Sequence, residues 1–286
     1  MRWRTGRTST HVQDRRGRGG GLRLGGGLGI GGIVVVLLIG MLMGGDPLQM
    51  LAMLGDGGGA PADTQAPAPG APDRDLAFVN AIVADTESTW GALFARAGQT
   101  YAPPEMVLFS GSVSSGCGSA TAAVGPFYCP ADRTVYLDTG FFDEMRQRLG
   151  GGGDFAEAYV IAHEVGHHVQ TLTGSTAEVD RQRAAGRDVA GASGPLVRQE
   201  LQADCLAGVW AHHAQRSNHW LEPGDLERAM DTAAAIGDDR LQRQSRGTVT
   251  PDSFSHGTSE QRTRWFRAGF DSGALARCDT FASGAL

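Results

Sequence analysis

Apolar residues recur at helical spacing through most of the chain beyond position 72. Leu76, Val79, Ile82 and Val83 share one side, with Trp90, Leu93 and Phe94 further on, which predicts a helix over 73–97. Three short apolar runs, Met106 to Ser112, Ala123 to Cys129 and Thr134 to Asp138, predict strands. The pattern returns to helix over 140–149. Phe155, Tyr159, Ala162, Gly166, Val169 and Leu172 then form a stripe along a helix of roughly five turns. Asp154 is its expected N-cap, with Glu157 reaching back as in a capping box, and Gly174 is its stop. Another helix opens at Pro195, which suits a first turn, and carries Leu196, Leu201, Leu206, Val209 and Trp210. Helices are also expected over 225–236 and from about Ser259, the latter capped by Thr258 to Gln261. Residues 173–194 hold little apolar content and read as a mobile cover. A small sheet followed by helices is an α+β arrangement, and 73–286 is one domain of ordinary size.

The first 72 residues follow other rules. Residues 1–24 contain seven arginines and one acid, Asp14, for a formal charge of +6. Residues 24–45 carry no charge, and Ile30 to Met43 is dominated by Ile, Val, Leu and Met. Twenty-two helical residues would span about 33 Å, enough for a hydrocarbon core. Residues 46–72 are rich in Gly, Ala and Pro and read as a linker. The expected organisation is therefore a basic cytoplasmic tail (1–23), a transmembrane helix (24–45), a linker (46–72) and a domain at 73–286. Arginines before the span and none just after it imply a single-pass protein of the cell membrane. Its N-terminus would be cytoplasmic, its domain extracytoplasmic, and the helix would contact membrane lipid. A cleaved secretory signal is the rival reading.

The whole chain carries −6, so the domain is acidic, which argues against nucleic acid as a partner. All four cysteines, at 117, 129, 205 and 278, lie beyond the linker. An even count in an exported domain suggests two disulfides. Cys117 and Cys129 bracket a short Gly/Ala-rich loop, which leaves Cys205 for Cys278.

The chemistry concentrates at His163-Glu164-Val165-Gly166-His167. Residues i and i+4 share a helix face, so both imidazoles can reach one metal ion, for which Zn2+ is the usual choice. Glu164 is free to take a proton from a metal-bound water. His168 lies about 100° further round and should miss the ion, leaving a solvated or supporting role. Downstream, Glu200 and Asp204 are also i and i+4. One can bind metal and the other can accept the second N–H of a ligating histidine.

HEVGHHVQ at 163–170 followed by ELQADCLAGVW at 200–210 resembles the YpfJ-like neutral zinc metallopeptidase family of bacteria. The resemblance extends to Asp14-Arg15-Arg16-Gly17, the Gly-rich apolar stretch and Ser255 to Arg262. More distantly the chain is similar to gluzincins, whose H-E-x-x-H is completed by E-x-x-x-D. The resemblance implies a zincin-like fold, Glu200 as third ligand and Asp204 as its supporting partner. His256 and Arg262 resemble an H-P-x-x-x-x-R segment, with Gly257 in place of proline, and are candidates for steadying an oxyanion. In zincin-like enzymes an edge strand binds the substrate backbone, and Arg133 to Asp138 is the candidate. The expected function is a membrane-anchored zinc metallopeptidase that acts on peptide or protein substrates, with Glu164 as general base. The alternatives are a non-catalytic, membrane-tethered zinc-binding scaffold and a hydrolase of a non-peptide bond.

Overall fold

In a computed structural model, residues 1–17, 73–148, 152–282, 284 and 286 are described. Among them are strand β1 (Val12–Asp14) and helix α1 (Arg74–Arg96). Strands β2 (Glu105–Phe109), β3 (Ser112–Ser115), β4 (Gly118–Thr121), β5 (Phe127–Cys129) and β6 (Thr134–Asp138) follow. The rest is helical: α2 (Gly140–Arg148), α3 (Asp154–Thr173), α4 (Ala177–Ala184), α5 (Pro195–Asn218), α6 (Asp225–Ala235), α7 (Asp238–Arg246) and α8 (Ser259–Ser272). The α+β expectation holds. Helix α4 occupies the stretch read as a cover.

The main sheet has the order β1-β2-β6-β5, and β3 and β4 form a separate hairpin. β1, β2 and β6 run parallel, while β5 is antiparallel to β6. All five residues of β6 are buried, because the strand has a neighbour on each side. The expectation that this strand is an edge is therefore corrected: the edge beyond β6 is β5, which packs on α3.

The membrane topology is corrected as well. No helix among the described residues is long and apolar enough to cross a membrane, and the expected span at 24–45 lies outside those residues. Residues 1–16 belong to the same compact unit as 72–286. β1 pairs Val12 with Met106 and Asp14 with Leu108, and Trp3 is buried edge-on against Phe78. Strands that share main-chain hydrogen bonds cannot lie on opposite faces of a bilayer. A cytoplasmic N-terminus with the domain across the membrane is excluded on that ground, and lipid contact through such a helix has no support.

The centre is α3, buried almost throughout because other elements enclose it, with Glu157, His163, Glu164, His168 and Gln170 buried among its apolar residues. Phe155 and Tyr159 on α3 pack with Trp210 of α5 and Phe266 of α8. Asp154 is the first helical residue and Gly153 the N-cap, which corrects the cap assignment. The Asp154 carboxylate instead accepts from Trp3 Nε1 at 2.6 Å and Arg74 at 2.5 Å. Glu157 is buried between Arg74 and Arg146 rather than turned back on the cap. Gly174 ends the helix at φ 73°, a left-handed conformation that glycine adopts without strain.

Two glycine contacts bring the functional helices together. A Cβ on Gly166 of α3 would stand 3.0 Å from the Ala203 carbonyl oxygen of α5. At Gly208 and Gly269, α5 and α8 approach so closely that a Cβ on either would overlap the other helix's main chain. Both expected disulfides are formed, Cys117–Cys129 and Cys205–Cys278, the second joining α5 to the segment after α8.

Candidate functional site

α3 presents His163 and His167 one turn apart, with ring centroids 4.8 Å apart and planes nearly perpendicular. The close approach at Gly166 brings α5 against this face, and with it Glu200. Its Oε2 lies 3.2 Å from His163 Nε2 and 3.5 Å from His167 Nε2. Ligand atoms placed tetrahedrally about one zinc ion at about 2.0–2.1 Å would stand about 3.3–3.4 Å apart. The two nitrogens and one oxygen therefore fit zinc in spacing and in type, and all lie within 4.8 Å of one another.

Each histidine is supported from behind. Asp204, fully buried one turn beyond Glu200, has Oδ1 2.9 Å from His163 Nδ1. The same carboxylate accepts from Tyr159 Oη at 2.5 Å and from Arg262 Nε and Nη2 at 3.0 Å each. Arg262 also donates to Tyr159 Oη at 3.1 Å. It lines the cavity, but its guanidinium is committed to Asp204 and Tyr159. His167 Nδ1 meets Gln170 Oε1 at 2.9 Å.

These charges set the protonation of the metal-free site. Burial alone would raise the Glu200 and Asp204 pKa values. The neighbouring histidines outweigh it at Glu200, and Arg262 with His163 outweighs it at Asp204, so both carboxyls are held below their ordinary range. Burial would lower His163, but Asp204 and Glu200 push it up to about 10. His167 is raised for the same reason, by Glu200. Glu164 differs: burial raises its pKa, and the two histidines offset this only in part. It is 8 % exposed and has a hydrogen bond from the Tyr128 main chain on β5.

The donors open onto a cavity of about 590 Å³ that also exposes Glu164, His256 and Arg262. Val124, Phe127, Phe141, Ile236 and Leu241 supply apolar wall, and Asp180 and Arg183 of α4 lie on the lining. His256 sits in the loop before α8. Asp238 Oδ2 accepts the main-chain N–H groups of Ser255, His256 and Gly257 at 2.7, 2.6 and 3.1 Å, and Oδ1 lies 3.3 Å from His256 Nδ1. His168 faces away, buried between Tyr128 Oη (3.0 Å) and the Ala102 carbonyl (2.7 Å). His212 and His213 latch α5 to the end of α8 through main-chain carbonyls.

Sequence reasoning missed Asp238, Gln170 and Tyr128. Asp238 sits eighteen residues before His256, and no periodicity links them. Gln170 is the exception: it stands at i+3 from His167 on the same helix face, a signal open to inspection.

Residues 1–281 match the family described as "Putative neutral zinc metallopeptidase". The chain belongs to this family. Among curated relatives it is similar to YpfJ of Escherichia coli K12, at 48% identity over 98% of this chain and 99% of that one. It is also similar to Rv2575 of Mycobacterium tuberculosis H37Rv and Mb2605 of Mycobacterium bovis, each at 41% identity over 86% of both chains. All three carry the description "uncharacterized protein". No solved structure matches. Membership of the zinc metallopeptidase family implies Zn2+ as cofactor, hydrolysis as the reaction class and peptides or proteins as substrates.

Proposed function

We propose that the chain is a zinc-dependent peptidase in which His163, His167 and Glu200 hold the ion and Glu164 is the general base. The observation that carries this reading is the convergence of three donors from α3 and α5 at a cavity that also exposes a buried, unligated carboxylate. Bound zinc would supply Lewis-acid polarisation of a water molecule and of the scissile carbonyl. Glu164 takes a proton from the attacking water. The water oxygen bonds to the carbonyl carbon, the C–N bond breaks, and Glu164 passes the proton to the leaving amine. Its raised pKa makes it a stronger base than an exposed glutamate.

Ser255 Oγ lies 2.9 Å from Nδ1 of His256; donating its hydrogen there, it leaves the ring hydrogen on Nε2, which donates to the negative charge developing on the carbonyl oxygen. Arg262 acts at one remove: it keeps Asp204 ionised and aimed at His163. An extended substrate runs along the free edge of β5, where main-chain pairing binds it with little regard to side chains.

A purely structural zinc site needs a fourth protein ligand. Among the described residues the cluster offers three donor groups, which favours the enzyme over the scaffold. The test uses the zinc-loaded full chain and a diverse peptide library. The unmodified protein should yield product peptides, whereas Glu164→Gln should keep its zinc and yield none. Full activity in that variant, or no cleavage by the zinc-loaded parent, refutes the proposal.

A further inference from the structure

We infer that Gln170 is a positioning residue that fixes the tautomer of His167 through a one-way chain of amide hydrogen bonds. The inference rests on reading His167 as a metal ligand.

Gln170 is 0 % exposed, so each of its polar atoms must find a partner inside the protein. All of them do. Oε1 lies 2.9 Å from His167 Nδ1, and Nε2 lies 2.7 Å from the Gln199 carbonyl oxygen and 3.0 Å from Gln202 Oε1. The orientation of a side-chain amide must be argued from its partners. Here the Gln199 carbonyl decides it, because a main-chain oxygen can only accept. The Gln170 NH2 therefore faces α5, and Oε1 faces His167. That oxygen can also only accept, so His167 Nδ1 carries the hydrogen. A neutral imidazole protonated at Nδ1 has its lone pair on Nε2, the nitrogen that faces Glu200.

The chain continues in one direction. Gln202 accepts from Gln170 and donates through Nε2 to the Cys278 carbonyl oxygen at 3.0 Å. Cys278 is bonded to Cys205, the residue after Asp204. The last acceptor is thus tied covalently to the helix that supplies Glu200 and Asp204.

The two histidines are supported by different chemistry. His163 has a carboxylate, itself neutralised by Arg262. His167 has an amide, which orients the ring without adding charge beside Glu164 and Glu200. Removing such a partner typically weakens metal binding about 10–100-fold.

The full-length protein, stripped of metal, is titrated with Zn2+ against a competing chelator. Its Co2+ form is examined by proton NMR for the exchangeable, paramagnetically shifted imidazole N–H signals. The parent should show one N–H signal from each of His163 and His167. Gln170→Leu should bind Zn2+ about 10–100-fold more weakly and lose the His167 signal while keeping that of His163. Gln202→Leu, which leaves the Gln199 contact in place, should show a smaller loss. Unchanged affinity with both signals present in Gln170→Leu overturns the inference. If that variant does not fold, the same outcome in Gln170→Met overturns it. Glu200→Ala separates the two levels. Unchanged zinc binding there defeats the ligand assignment, and this inference with it. Loss there beside an unaffected Gln170→Leu defeats only this inference.

Discussion

Asp204→Asn should be among the most damaging single substitutions in the protein, although it changes one atom. The Asp204 carboxylate accepts from His163, Tyr159 and twice from Arg262, in a site with 0 % exposure. Arg262 is itself 3 % exposed, and besides Asp204 its guanidinium donates to Tyr159 Oη and, at 3.4 Å, to the Ile236 carbonyl, neither of which carries a formal negative charge. The amide removes the charge and turns one acceptor oxygen into a donor that must face another donor. Breaking one side of a buried ion pair costs about 3–5 kcal/mol, because the remaining charge stays in the interior uncompensated. In a domain of this size that corresponds to a fall in Tm of roughly 6–20 °C. Unfolding by heat and by urea, both in excess chelator, gives the stability free of any linkage to metal. The cycle is completed by Arg262→Met and the double variant. If the two residues act as one pair, the double variant should lose at least about 1 kcal/mol less than the two single losses added. Additivity within about 0.5 kcal/mol, or a single-variant cost below about 1 kcal/mol, would show that the pair does not hold the site together.

Two further outcomes are expected. A methyl group at Gly269 would overlap the Cys205 carbonyl of α5, so Gly269→Ala should part the two helices at a cost of about 1–3 kcal/mol, seen by urea unfolding; native stability would disprove the close packing. Zinc uptake should release protons at neutral pH, because Asp204 and Glu200 hold His163 at about 10 in the metal-free site. Proton and ion compete for the same site, so affinity should rise with pH and level off above about 10. Calorimetry in buffers of different ionisation enthalpy counts the protons, and a count of zero at pH 7 would contradict the assignment.

Helices α1, α2, α3, α5, α6 and α8 were legible because each carries apolar residues at helical spacing, and Gly174, Pro195 and Thr258 mark ends that the structure keeps, whereas α4 and α7, mostly charged and polar, gave no such signal. The pairing of His163 with His167 followed from helix geometry alone. That Glu200 meets them did not: spacing placed it beside Asp204, and only the contact at Gly166 and Ala203 brings it to the histidines. Strand β1 was hidden by its setting, since its arginine-rich surroundings suggested a charged tail. Its three residues gain their place from main-chain pairing with β2, which carries no side-chain signal. Asp154 failed as a cap because Trp3 and Arg74 claim its carboxylate, and both are remote in sequence. Asp238 escaped notice because its partners are main-chain N–H groups in a loop, where any residue would serve.

The N-terminal arm has a practical consequence. Arg16 forms an ion pair with Asp73, so the described residues on either side of 18–72 meet at the start of α1. A protease that cut between residues 17 and 73 would leave two pieces still locked together, like fragments of a split reporter, because β1 pairs with β2 and Trp3 packs on Phe78. A trimmed chain starting at residue 73 would instead lose a strand of its sheet and the indole that fills one end of its core. A synthetic peptide of the first sixteen residues is the natural means of restoring both.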